Sequence, residues 1–173
     1  MLETVVDEQM RDRYTTLISA TGNSFIDGFL ETCLQRRIMK SRMNKKEDRL
    51  LVISNGFNGD DIVKYAYEKG YKTEWVFHSM CLPMDAKQAA QDAVYHEGIT
   101  HVLFVSVDSF SGALTPLRQI LPKMRKMRKD VSVCVDNRHG FCLQPLPRID
   151  EIIDFSVSTF DGHMMNRFMT LPF

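Results

Sequence analysis

Three features of the sequence predict an α/β fold: a three-layer α/β/α arrangement around a mostly parallel sheet. Strand-like and helix-like segments alternate along the chain. The two most apolar strand candidates, Leu50–Ser54 (LLVIS) and Val102–Val107 (VLFVSV), are short continuous runs. The segment after Asn23 carries Phe25, Ile26, Phe29, Leu30, Cys33, Leu34 and Ile38 at helical spacing. Continuous apolar runs suit strands covered on both faces, and alternation with helices builds βαβ units.

In chain order, Tyr14–Ala20 (YTTLISA) reads as a strand stopped by Thr21-Gly22-Asn23, with the helix just described following it. Ser41–Asp48 is a polar loop, and Leu50–Ser54 is the next strand. Asn55-Gly-Phe-Asn-Gly59 reads as a turn before a helix near Asp61–Lys69. Thr73–Phe77 is a strand, with Trp75 mid-strand and read as core, and Asp85–His96 is a helix. Val102–Val107 follows as a strand. The loop Asp108–Ala113 then leads to a helix opened by Thr115-Pro116, an N-cap with proline at the first helical position. Val131–Val135 is a strand and Asn137–Leu146 a loop. A short helix near Ile149–Ile153 precedes a last strand, Phe155–Ser158.

Length and composition bound the functional classes. The 173 residues suit a single domain, with 44% hydrophobic and 25% charged residues. Lys+Arg and Asp+Glu both number 22, so no net field draws the chain to nucleic acid or to an anionic membrane. The densest basic run, Lys123-Met-Arg-Lys-Met-Arg-Lys129, reads as a solvated helix end. The cysteines Cys33, Cys81, Cys134 and Cys142 are scattered, with no metal-ligand spacing, and no metal site is expected. Cys33 and Cys134 read as core residues. The N-terminus lacks the pattern of a secretion signal, and no apolar run is long enough to span a bilayer. A soluble, cytoplasmic protein is expected.

In parallel sheets ligands bind beyond the carboxyl ends of the strands, so the strand-to-helix loops are where chemistry is expected. Ser19-Ala-Thr-Gly-Asn-Ser24 opens a helix, where free N–H groups and the helix dipole favour phosphate and Gly22 permits close approach. Taken alone, a plain N-cap with hydroxyl and amide side chains is the commoner reading of such a loop. Asp136 follows a strand directly, where a carboxylate either holds a protonated heterocyclic nitrogen or caps a turn. Asp108–Pro116 adds hydroxyls, Ser111 among them, at the same edge.

Together these loops resemble class V, fold-type-I pyridoxal-phosphate (PLP) aminotransferases, of the 2-aminoethylphosphonate–pyruvate and alanine–glyoxylate types. The family's phosphate loop is similar to Ala20-Thr-Gly-Asn-Ser24. Its "DR-V-L-V-x-x-N-G-x-x-G" stretch is similar to Asp48-Arg-Leu-Leu-Val-Ile-Ser-Asn-Gly-Phe-Asn-Gly59. Its "H-x-E-T-S-T-G-V-L-x-P" loop resembles Val107-Asp-Ser-Phe-Ser-Gly-Ala-Leu-Thr-Pro116. Its "V-D-A-x-S-S-x-G" segment, with the aspartate that pairs with the pyridine nitrogen, resembles Val135-Asp136-Asn-Arg-His-Gly140, and "D-F-x-V-S-S" resembles Asp154-Phe-Ser-Val-Ser-Thr159.

The resemblance implies the fold of the family's large domain over residues 1–173, without its N-terminal arm and its C-terminal small domain. It implies a cofactor site at Thr21, Gly22, Asn23, Ser111 and Asp136. The family's Schiff-base lysine follows the "S-S" pair within a few residues, whereas no lysine follows Lys129 here and Gly162 takes its place. His163 nearby reads as a surface residue; it could shuttle a proton but would form no stable aldimine. No catalytic residue is therefore assigned, and PLP is expected to bind weakly and non-covalently at best. Two readings stay open: a degenerate, self-associating binding or interaction protein, expected to be a homodimer, and a PLP enzyme subunit completed by a partner chain.

Overall fold

The computed structural model describes residues 48–140 and 152–158. Its elements are β1 (Arg49–Ser54), α1 (Phe57–Glu68), β2 (Lys72–Phe77), α2 (Ala86–Tyr95), β3 (His101–Val105), α3 (Leu117–Met127), β4 (Ser132–Asp136) and β5 (Phe155–Val157). The strands form one sheet in the order β2-β1-β3-β4-β5, and every pairing is parallel. The expected three-layer α/β/α architecture is what these residues build.

The continuous apolar runs are explained by burial on both faces. On one face Leu51, Ile53, Val102, Phe104, Val133 and Val135 pack against Ala89, Ala90 and Ala93 of α2 and Leu117, Ile120, Leu121 and Met124 of α3. On the other, Leu50, Val52, Leu103, Val105 and Cys134 pack against Ile62, Val63 and Ala66 of α1. Alternate residues of one strand thus serve two cores, as a strand's period of two requires. Each fully buried large side chain, such as Leu51 or Phe104, contributes roughly 1.5–3 kcal/mol of transfer free energy. Cys134 is buried in the core as expected.

The chain runs from β1 through α1 outward to β2, then returns through α2 across β1 to β3. Because such crossovers are right-handed, this reversal puts α1 on one face and α2 and α3 on the other. It also opens a crevice where the loops leaving β1 and β3 diverge.

Several local expectations are corrected. Helix α1 begins at Phe57, inside the stretch read as a turn. Helix α3 starts at Leu117 with Pro116 at its N-cap and no side-chain cap. Thr115 is instead spent on the sheet, donating its hydroxyl to the Val105 carbonyl. Trp75, read as core, is 46% exposed, because β2 lies at the edge of the described sheet, and it meets Phe77 edge-on at 5.7 Å.

The basic helix end is also not simply solvated. Arg125 donates to the carbonyls of Ile152 and Val131 and to Asp154, tying α3 to β4 and to the start of β5. Arg128 donates to the carbonyls of Val94 and Ile99 and pairs with Asp130. The readings placed on 1–47, 141–151 and 159–173 lie outside the described residues.

Candidate functional site: the crevice at the carboxyl ends of β1, β3 and β4

The loop leaving β1 is fixed by its own side chains. The Ser54 hydroxyl donates to the Gly56 carbonyl at 2.7 Å and accepts from the Gly56 N–H at 3.2 Å. The buried Asn55 reaches across to the β3 loop, where its Nδ2 donates to the Ala113 carbonyl and to Thr115 Oγ1. Asn55 Oδ1 is buried with no hydrogen-bond partner among the described residues.

Asp108, fully buried in the loop after β3, is the hub of the crevice. Its Oδ2 accepts the Asn58 N–H at 2.8 Å, so it caps α1 in place of the side chain that Gly56 lacks. A Cβ on Gly56 would stand 2.2 Å from Asp108 Cγ, so only glycine lets the carboxylate approach. Oδ1 accepts the N–H groups of Phe110 and Ser111 and the Ser111 hydroxyl, at 3.1, 2.9 and 3.0 Å. Burial pushes the Asp108 carboxyl up, but these hydrogen bonds outweigh it and hold the group below the usual carboxylate range. Asp60, in the first turn of α1, goes the other way: burial, then Asp61 and Asp108, raise it. Phe110, 73% exposed, meets Phe57 edge-on above this loop at 5.4 Å.

At β4 the backbone is locked to its neighbours, with Ser106 N–H donating to the Asp136 carbonyl and Asn137 N–H to that of Val157. Ser106 Oγ donates to Asn137 Oδ1 at 2.7 Å. Asp136 is the last residue of β4, 3% exposed, and its carboxylate is gripped by Arg138. Oδ1 accepts from the Arg138 N–H at 3.1 Å and Nε at 2.9 Å, and Oδ2 from Nη2 at 2.7 Å and Nε at 3.0 Å.

Of the residues expected to bind a cofactor, Thr21, Gly22 and Asn23 lie outside the described residues. Ser111 and Asp136 stand at the same carboxyl edge of adjacent strands, each engaged within its own loop. The sequence reading missed Asn55, the capping role of Asp108, and Arg138. The first two act across 60 and 50 residues of chain, which no local pattern records; the signal for Arg138 was an Asp-x-Arg directly after a buried strand. Chemically, the crevice is lined by hydroxyls, by N–H groups taken up by Asp108, and by the Asp136–Arg138 ion pair. Any cationic ring brought to Asp136 competes with Arg138 for the same oxygens. Among the described residues no three His, Cys, Asp or Glu side chains are grouped to hold a metal ion, and no helix is long and apolar enough to cross a membrane.

No protein-family model and no curated protein sequence matches this chain. Solved structures do share its fold. Pyridoxamine–pyruvate aminotransferase from Mesorhizobium loti is 17% identical, with a TM-score of 0.55 over 73% of this chain and 36% of that one. Ureidoglycine–glyoxylate aminotransferase from Bacillus subtilis is also 17% identical, with a TM-score of 0.57 over 88% and 45%. Alanine–glyoxylate aminotransferase from Nostoc sp. is 14% identical, with a TM-score of 0.54 over 82% and 40%. The chain therefore has an aminotransferase-like fold and spans less than half the length of these structures.

Proposed function

We propose that this chain is a degenerate aminotransferase-like domain, not a transaminase by itself, that acts as a self-associating binding or interaction protein. The observation that carries this reading is the chain leaving β5. Strand β5 ends at Val157, and the sequence that follows, Ser158-Thr-Phe-Asp-Gly-His163, has no lysine, nor does any residue after Lys129. In the family that the sequence resembles, a lysine here is both the Schiff-base nucleophile and the proton shuttle.

PLP, when bound, supplies an electron sink for carbanion chemistry. The residues that the resemblance assigns to it are Thr21, Gly22, Asn23, Ser111 and Asp136, of which Ser111 and Asp136 are already engaged by Asp108 and Arg138. Without a covalent anchor, any binding is poorer than roughly micromolar, or about −8 kcal/mol. A second reading is a PLP enzyme completed by a partner chain that supplies the lysine missing from Ser158–His163.

Borohydride trapping tests the main reading. The purified chain, incubated with PLP, reduced and digested, is expected to show no adduct at a unique lysine by mass spectrometry. A stoichiometric adduct at one lysine overturns it. An adduct that forms only on a second chain co-purified with this one establishes the partner-completed enzyme.

A further inference from the structure

Arg138 fills most of the accepting capacity of Asp136, with three hydrogens on its two oxygens. An ionised carboxylate offers about four acceptor positions. Here Oδ1 takes the arginine's own N–H and Nε, while Oδ2 takes Nη2 and shares Nε. The guanidinium fork matches a carboxylate in plane and charge, which makes this among the stronger hydrogen-bonded pairs available to side chains. Its surroundings keep it in place. Asp136 is 3% exposed, and Arg138 is itself half-buried. The turn that carries Arg138 cannot readily swing away, because Asn137 is bonded to both Ser106 and Val157. Gly140 closes the same turn so tightly that a Cβ there would lie 2.3 Å from Ser106 Oγ.

We propose that Arg138 is a built-in counter-ion that closes Asp136 to cationic aromatic rings, so that the crevice takes a pyridinium only when Arg138 is removed. A ring nitrogen taking that place offers one N–H in exchange for the three charge-assisted bonds that Arg138 makes to a nearly fully buried carboxylate, so the exchange is unfavourable. The inference deepens the proposed function and rests on its placing the binding crevice at this edge of the sheet. It is independent of any lysine.

The probe is pyridoxine 5′-phosphate, which keeps the ring nitrogen and the phosphate but has no aldehyde, so a positive result cannot arise from imine formation. Calorimetry on the full chain is expected to show no saturable ring binding by the wild type. Arg138→Met, which keeps the apolar stem, is expected to bind about tenfold tighter or more. Arg138→Met with Asp136→Asn is expected to lose that gain. Wild-type binding as tight as that of Arg138→Met overturns the proposal, as does a folded Arg138→Met with no gain. Equal binding in all the chains means that only the phosphate is held, and overturns it too.

If Arg138→Met does not fold, the wild type carries the test alone. The Arg138 Nε–H resonance, identified by its loss in Asp136→Asn, is expected to stay unmoved throughout the titration. A saturable shift of that resonance overturns the proposal. A lysine adduct in the borohydride experiment would overturn the proposed function while leaving these results as they are.

Discussion

Burial and hydrogen bonding pull in opposite directions on the carboxyl of Asp108, and the hydrogen bonds win. Its folded pKa therefore lies below its unfolded one, near 3.9. The stability it supplies is fully present above the unfolded pKa and is lost as pH falls through the depressed folded value. Asp108→Ala strands the Asn58 N–H inside the crevice and is expected to cost roughly 2–3 kcal/mol at neutral pH. Asp108→Asn, which keeps one accepting oxygen, is expected to cost less and to flatten the acid limb of stability below about pH 4. Urea titrations from pH 3 to pH 7 check both, and an acid limb unchanged in Asp108→Asn would assign that limb to other carboxylates. Local sequence did not disclose this role, since Asp108 and the helix it caps lie 50 positions apart. By contrast Asp136 was legible, as a carboxylate at the end of a buried strand. Its partner was passed over, although the Asp-x-Arg spacing records it two positions on.

Helix α1 seats against β1 more closely than an ordinary residue permits. A Cβ on Gly59 would lie 2.0 Å from Ser54 Oγ and 2.2 Å from Ser54 Cβ. The hydroxyl is already committed to the Gly56 turn, and the Cβ is fixed by the strand, so neither yields. Gly59→Ala is expected to destabilise by roughly 2 kcal/mol or more through overpacking, despite alanine's better helix propensity. A thermal melt at or above the wild-type midpoint would show that α1 shifts freely. The elements themselves were largely legible: the runs at Leu50 and Val102 read as strands buried on both faces because that is how they pack. Where reading failed, a distant partner decided. The start of α1 was hidden by a turn-like Asn-Gly-Phe-Asn-Gly whose cap comes from another loop. The exposure of Trp75 follows from strand order, which composition does not encode.

On the whole molecule, exposed Phe57, Phe110 and Leu114 gather about the crevice, and Trp75 and Phe77 lie on the strand at the edge of the described sheet. Apolar surface gathered in this way commonly marks association. The chain is expected to scatter light as a species of at least twice its 20.0 kDa mass at tens of micromolar, and a monomeric mass there would remove self-association from the proposed function. The order of the strands has a further consequence, in the time of synthesis. Strand β1 lies between β2 and β3, pairing Leu50 with Thr73 on one side and with His101 on the other. Its neighbour β2 emerges soon after it, whereas β3 lies 51 residues downstream, as the bond between Arg49 and Thr100 measures. At translation rates of about 5–20 residues per second, that gap lasts roughly 3–10 s. For that interval the nascent chain carries LLVIS with one side unpaired, an apolar edge of the kind that recruits other strands. A chaperone that holds the newly made chain until His101–Val105 has emerged would therefore be expected to raise the yield of folded protein.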